Sequence, residues 1–352
     1  MSYGFQGYSN TSQRIGKYKG EILKGAVPVE VLGITGEQKS MPKNSSDTVV
    51  YRRWYPFGGV DNRWISATNV GTFAGSHQIN EGENPEADTL SPIDITAQML
   101  QYGVLYKVSD RAVDIHEDGP DIPQEMTRQT GERVGLVREM IRYGTLKAAT
   151  NAFYAGGTSR DTVDGTVSLA GLRSIERSLR LNHAAFITRV LAPSPDFNTS
   201  PTEAGYLVFH HTDMDHDVRS LPDFVSVPNY GSRKPVHENE IGSVGRFRFI
   251  SSPELAPYAA AGANVAGTGL SSAGGSKVDV YPLLIAAENA WGQVALRGLN
   301  SVTPTWIPPG QQSKSDPLGL VGYVGAKFWF SCVLLNQGWL AVYECGASAL
   351  TA

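Results

Sequence analysis

The densest set of potential ligands in the chain is His210-His211-Thr212-Asp213-Met214-Asp215-His216-Asp217, placed where an apolar strand gives way to a helical pattern. Three histidines and three carboxylates within eight positions are donors that suit zinc or manganese. The start of a helix asks for the same residue types. Thr212 or Asp213 is an ordinary N-cap, Asp215 falls in the first turn where a carboxylate favours the helix dipole, and no second ligand set of the HExxH kind accompanies them. Capping therefore outweighs metal binding, and no metal or cofactor is expected. The glycine-rich stretches Gly262 to Gly269 and Gly274-Gly275 match neither GxGxxG after a strand nor the phosphate loop. There is no GxSxG elbow. Cys332 and Cys345 lie in apolar runs without a neighbouring base to activate them. The carboxylate pairs Glu81/Glu83 and Glu238/Glu240 sit in polar turns and read as solvated charge. No catalytic residue is assigned, and no enzyme activity is expected.

The run Tyr51-Arg52-Arg53-Trp54-Tyr55 has the composition of a single-strand nucleic-acid platform, in which aromatic faces stack on bases and arginines meet phosphates. Alternation along a strand divides it. Arg52 and Trp54 face one way and Arg53 and Tyr55 the other, so salt bridges and apolar contact with a neighbouring subunit explain the run better.

Stepping outward to the elements that hold these residues, 352 residues with 41% hydrophobic and 18% charged side chains have room for two linked lobes, with a charged share below the ~25% of an average soluble domain. The 38 glycines and 20 prolines imply many turns and an α+β class with long connections. A formal charge of -4 argues against a protein devoted to gripping nucleic acid. Two cysteines without CxxC spacing suit buried free thiols in a reducing compartment. The first residues lack a signal-peptide pattern and no run reaches the ~18 apolar residues of a membrane span, so a soluble, unexported chain is expected.

Residues 1 to 47 hold only short apolar pieces between glycines and cannot build their own core. They read as an arm lying on neighbours. Thr48 to Tyr55 reads as a strand whose partner is Ile93 to Val108, with a bulge or twist near Met99-Leu100 where the alternation changes phase. The segment Pro56 to Pro92 between them reads as a long protruding hairpin. From Pro123 the apolar residues Val134, Val137, Ile141, Ala148 and Ala152 keep one helical face. This predicts a single spine helix to Ala155, about 50 Å long, with Gly131, Gly135 and Gly144 marking a bend or close packing. A second helix spans 168 to 183, capped by Ser168. Strands follow at 205–209, 245–251 and 278–287, with a short helix from Asp213 to Leu221. Pro257 to Lys277 reads as a surface loop, and strands 324–335 and 339–345 are joined by Asn336-Gln337-Gly338.

Several strings, in order, resemble the major capsid proteins of tailed bacteriophages, in the branch found in N-four-like phages. They are Val27 to Leu32, Met41-Pro42-Lys43-Asn44-Ser45, Asp47 to Arg53, and Leu100-Gln101-Tyr102-Gly103 through Ser109-Asp110. Asn239-Glu240-Ile241-Gly242 leading to Arg248-Phe249-Ile250 follows, then Asp316-Pro317-Leu318-Gly319 through Lys327-Phe328-Trp329 to Glu344-Cys345. The resemblance implies the Hong Kong ninety-seven type capsid fold: an N-terminal arm (1–47), an extended loop (48–108), a peripheral domain with the spine helix (109–165 and 320–352), and an axial domain (166–319). It implies self-assembly as hexamers and pentamers into an icosahedral head assembled in the host bacterial cytoplasm. The implied partners are further copies of the chain, a portal protein, a scaffolding protein, a cement or decoration protein, and non-specific contact with packaged double-stranded DNA. Arg52, Arg53, Trp54, Trp64, Phe73, Glu81 and Glu83 are the expected interface residues.

Two departures qualify the resemblance. Some members of this fold cross-link through a lysine in the extended loop, and Pro56 to Pro92 contains none. No such bond is expected. The chain also opens directly on the arm, so scaffolding is expected to come from a separate protein. An encapsulin-like nanocompartment shell of the same fold is the alternative, and a metal-dependent enzyme using His210 to Asp217 a more distant one.

Overall fold

The computed structural model describes residues 30–44, 46–54, 78–79, 81–82, 92–115, 122–187, 204–230, 235–297, 301–312, 314 and 316–350. Expectations for residues 1–29, Trp64, Phe73 and Glu83 lie outside the described residues. In chain order the elements are β1 (Glu37–Met41), β2 (Thr48–Trp54), β3 (Pro92–Gln98), β4 (Leu100–Ser109), α1 (Asp110–Ile115), α2 (Ile122–Leu146), β5 (Ala152–Tyr154), α3 (Leu169–Leu181) and β6 (Tyr206–His210). They continue with α4 (Asp215–Arg219), β7 (Val225–Ser226), β8 (Glu240–Val244), β9 (Phe247–Ser251), β10 (Tyr281–Ala286), β11 (Trp291–Leu296), β12 (Thr303–Ile307), β13 (Val321–Leu334) and β14 (Leu340–Cys345).

A seven-stranded sheet runs β5-β14-β10-β6-β9-β8-β7. Its central strands β6, β9, β10 and β14 are buried along their whole length, which is why they read as continuous apolar runs rather than alternating ones. One face packs on Leu172, Ile175 and Leu179 of α3 and Val218 of α4. The other packs on Val31, Leu32, Tyr143, Leu146 and Trp291. Ser168 caps α3 by accepting the Gly171 N–H at 3.1 Å, the device its position predicts.

A second sheet is organised around the long strand β13. It pairs with β4 over Val321 to Phe330, with β12 over Tyr323 to Lys327, and with β11 over Phe330 to Leu334. β1 extends it by a parallel pairing with β11. Val134, Val137 and Ile141 of α2 cover one face, against Tyr102, Val104, Ala326, Phe328 and Phe330. β2 and β3 form a separate two-stranded ribbon.

Four expectations are corrected. The phase change at Met99-Leu100 is not a bulge in one strand. β3 ends at Gln98 in the ribbon and β4 begins at Leu100 in the other sheet, and a change of face is what a strand must make when it changes sheet. The spine helix has 25 residues and ends at Leu146, giving about 37 Å at ~1.5 Å per residue. Beyond it, Asn151 donates its side-chain N–H to the Leu340 carbonyl at 3.3 Å, and Ala152 to Tyr154 pair in parallel with Val342 to Glu344. Backbone bonds to a sheet edge replace the last turns that the apolar spacing suggests. The final strands β13 and β14 lie in different sheets, so the turn at Asn336 is a crossover and not a hairpin.

The fourth correction concerns the start of the chain. From Glu30 onward the segment is held by its own subunit. Glu139 of α2, fully buried, accepts the Val31 and Leu32 N–H groups at 2.8 Å each. Arg142 donates to Glu139 at 3.1 Å, to Glu30 at 3.2 Å and to the Gln293 side chain of β11 at 3.0 Å. Trp291 donates its indole N–H to the Thr35 hydroxyl at 3.0 Å. A side chain at Gly36 would meet the Trp291 ring at 2.6 Å, so glycine is required there by space. Gly135 is a similar close approach, with Glu30 where its Cβ would be.

Glu139→Ala leaves a buried guanidinium and two backbone donors without their acceptor. The expected loss is about 3–5 kcal/mol, read by urea unfolding of the unassembled subunit. Glu139→Leu with Arg142→Met should cost less than Glu139→Ala alone, because it removes the stranded charge.

Candidate functional site

The histidine and carboxylate cluster is spent on holding the fold. His210, fully buried at the end of β6, lies 3.0 Å from Asp215 through Nε2 and meets the Phe249 ring edge-on at 5.9 Å. His211, rather than Thr212 or Asp213, is the cap, its ring accepting the Asp213 N–H at 3.1 Å. Asp213 accepts the Tyr281 hydroxyl at 2.8 Å, and burial with that carboxylate pushes the Tyr281 phenol up. Asp217 accepts the Ser348 N–H and hydroxyl at 2.8 and 2.5 Å. His216 is exposed. The members point in different directions, and among the described residues no group of three could converge on a metal.

Glu240 departs from its reading as a solvated turn residue. It is buried at the start of β8, accepting from the Tyr230 hydroxyl at 2.7 Å, the Val236 N–H at 2.5 Å and Arg248 at 3.2 Å. Glu238 and Glu81 are exposed, as solvated charge should be. Both cysteines are free. Burial pushes the Cys332 thiol up to about 12 and the Cys345 thiol well above its ordinary value.

What remains unsatisfied is apolar surface. The ribbon alternates without a break. Val49, Tyr51, Ile95 and Ala97 pack inward with Met41, Met99 and Val294, where burial raises the Tyr51 phenol to about 12 and Lys39 sits 4.0 Å from the ring centre. Val50, Arg52, Trp54, Asp94 and Thr96 point outward and are exposed, Val50 by 50% and Trp54 by 51%. Arg52 is paired within its own chain: its Nε and NH2 donate to the two Asp94 oxygens at 2.7 and 2.8 Å, holding the Asp94 carboxyl below its usual range. The outward face of the ribbon is therefore a tryptophan and a valine flanking a neutralised pair. Arg53, on the inward face, is half-buried.

The second sheet continues the pattern. Its inner face is covered by α2, while Leu105 of β4 (65% exposed) and Trp329 of β13 (38%) lie on the outer side, with Leu318 and Leu320 exposed just before β13. Register places Leu105 opposite Gly325 and Gln101 opposite Trp329. Of the expected residues, the ribbon places Arg52 and Trp54 on its outward face and Arg53 on its inward one. The exposed Leu105 and Trp329 were not singled out from the sequence, although their phase, opposite to Val104 and Phe328, carries the signal.

No protein-family model matches the chain. Among curated proteins it is similar to the major capsid protein of Pseudomonas phage KPP21, with 21% identity over 86% of this chain and 85% of that protein. Among solved structures it resembles the capsid of Ralstonia phage GP4 (TM-score 0.66, 10% identity, 98% of each chain). It also resembles the head of Helicobacter pylori bacteriophage KHP40 (0.60, 12%, 98% and 99%) and the capsid of cyanophage Pam1 (0.57, 13%, 99% and 100%). The fold is thus the Hong Kong ninety-seven type α+β capsid fold, along the whole chain.

Both thiols stay protonated at neutral pH, and the thiolate is the reactive form. A thiol-reactive chromophore at pH 8 should label neither cysteine in the native subunit and both after denaturation.

Proposed function

We propose that this chain is the major capsid protein of a tailed bacteriophage, whose copies build the icosahedral head shell around double-stranded DNA. The observation that carries the reading is a capsid fold matched from end to end by a subunit whose ribbon and second sheet are each apolar on an uncovered face. The relatives described above are named for phage capsids and heads, which favours this reading over a cargo-loading nanocompartment. The chain acts by assembly and carries out no catalysis.

Head-to-tail contact between unlike patches closes into rings when the rotation fits, and rings of six and five tile a closed shell. A two-stranded ribbon is marginal alone. Laid on the next copy, its Val50, Arg52 and Trp54 face is buried, and the outer side of the second sheet, with Leu105 and Trp329, is the complementary surface. Residues before Glu30 act as the arm and the segment between β2 and β3, with Trp64, Phe73, Glu81 and Glu83, as the extended loop. The sheet around β13 with α2 forms the peripheral domain and the seven-stranded sheet with α3 the axial one. Scaffolding, portal and cement proteins are its partners in the host cytoplasm, and the packaged genome is met without sequence preference.

Electron microscopy of the chain produced with the other head proteins should show closed shells of uniform size containing DNA. Enzyme cargo in place of DNA would point to a compartment, and a chain that stays monomeric throughout would overturn the reading. Val50→Ser with Trp54→Ser should leave the subunit's melting temperature within a few degrees while abolishing shells, because the change is confined to the exposed face. Denaturing gels of mature heads should give a single subunit band, since a ladder needs a lysine that Pro56 to Pro92 does not contain.

A further inference from the structure

Several arginines among the described residues are bound to carboxylates of the same subunit. Arg52 is bound to Asp94, Arg128 to Glu125 and Glu132, Arg142 to Glu139, Arg160 to Glu344 and Arg248 to Glu240. α3 breaks the pattern. Its sequence LAGLRSIERSLRL turns Leu172, Ile175 and Leu179 into the core and leaves Arg173, Arg177 and Arg180 exposed. Spaced by four and three residues, they form one row about 10 Å long. With Glu176 and Leu181 they line a shallow open basin of about 510 Å³. Glu176 is the single carboxylate there, and it is shared: Arg180 approaches it at 3.7 Å and Arg246, from the turn between β8 and β9, at 3.9 Å. Arg173 and Arg177 have no carboxylate partner among the described residues.

We infer that this row is a contact surface for the phosphate backbone of duplex DNA; the inference rests on the shell reading and deepens it by naming where the lining meets its contents. The surface fits a polyelectrolyte better than a folded partner. A protein interface is centred on apolar or aromatic anchors in a pocket, and this basin offers guanidinium groups on a rigid helix, with Leu181 at one end. Among the described residues no aromatic platform lines it for unstacked bases, so single strands gain nothing from stacking there. Phosphate contact needs neither pocket nor base edge; it gains from releasing condensed counterions. Glu176 in the middle of the row keeps the attraction weak, which suits a lining that must not trap the DNA it encloses.

The test uses the unassembled full-length subunit and a labelled mixed-sequence duplex, followed by fluorescence anisotropy across a salt series. Three phosphates contacted correspond to a slope of about -2.7 in log affinity against log salt, or about a 40-fold weakening between about 50 and 200 mM. R173Q/R177Q/R180Q should remove that much of the slope, and R173K/R177K/R180K should retain it, at equal thermal stability. In heads, the glutamine variant should still form shells of normal size. Duplex binding by the glutamine variant with an unchanged slope overturns the inference. Loss of shells with duplex binding unchanged also overturns it and assigns the row to contact between copies. Failure of the unmodified chain to form shells is a separate outcome, which removes the shell reading.

Discussion

The arrangement of both sheets depends on one buried carboxylate. Glu139 reaches from the spine helix α2 to the backbone of Val31 and Leu32, and through Arg142 to Gln293 of β11. Three segments remote in sequence thereby meet at one charge: the start of the described chain, the helix, and the strand that carries the second sheet. Burial pushes the Glu139 carboxyl up, against the two N–H groups and the guanidinium that favour its anion. A charge in such a place is costly unless every lone pair is used. Three hydrogen bonds from Val31, Leu32 and Arg142 offset that cost, and they hold the segment that leads into β1 beside β11.

That anchoring decides what the chain leaves uncovered. With β1 docked and α2 laid across Ala326, Phe328 and Phe330, one face of the second sheet is closed. The chain has no further described element for the other face, where Leu105 and Trp329 stay exposed. The same holds for the ribbon, whose inner side rests on Met41 and Val294. Covering a half-exposed Val, Leu or Trp is worth roughly 1 kcal/mol each at ~25 cal/mol per Å². Contacts of that size are weak singly. They add up across the many contacts of a shell.

Much of this was legible from residue pattern, and the failures share a cause. The ribbon strand at Thr48, the cap at Ser168 and the apolar faces of α2 and α3 could be read locally. The resemblance in order of short strings pointed to the fold. What escaped were features decided by distant partners. Ala148 and Ala152 keep helical spacing, yet Ala152 belongs to a sheet edge because Val342 is there to receive it. Glu139 carries no mark distinguishing it from a solvated helix acid until Val31 and Leu32 arrive beneath it. Glu240 looked like a turn acid and is a core one, since Arg248 lies across the sheet. The sheet change at Met99 was visible as a phase change, with no indication of which strand would take up the second half.

Electrostatics gives the same lesson in a different form. A formal charge of -4 argues against a protein devoted to nucleic acid. Net charge is a sum, however, and contact is local. Pairing Arg52 of β2, Arg128 and Arg142 of α2, Arg160, and Arg248 of β9 with carboxylates of the same subunit removes them from the surface field. The potential that remains is set by whatever is left unpaired, and on α3 that is a row of one sign.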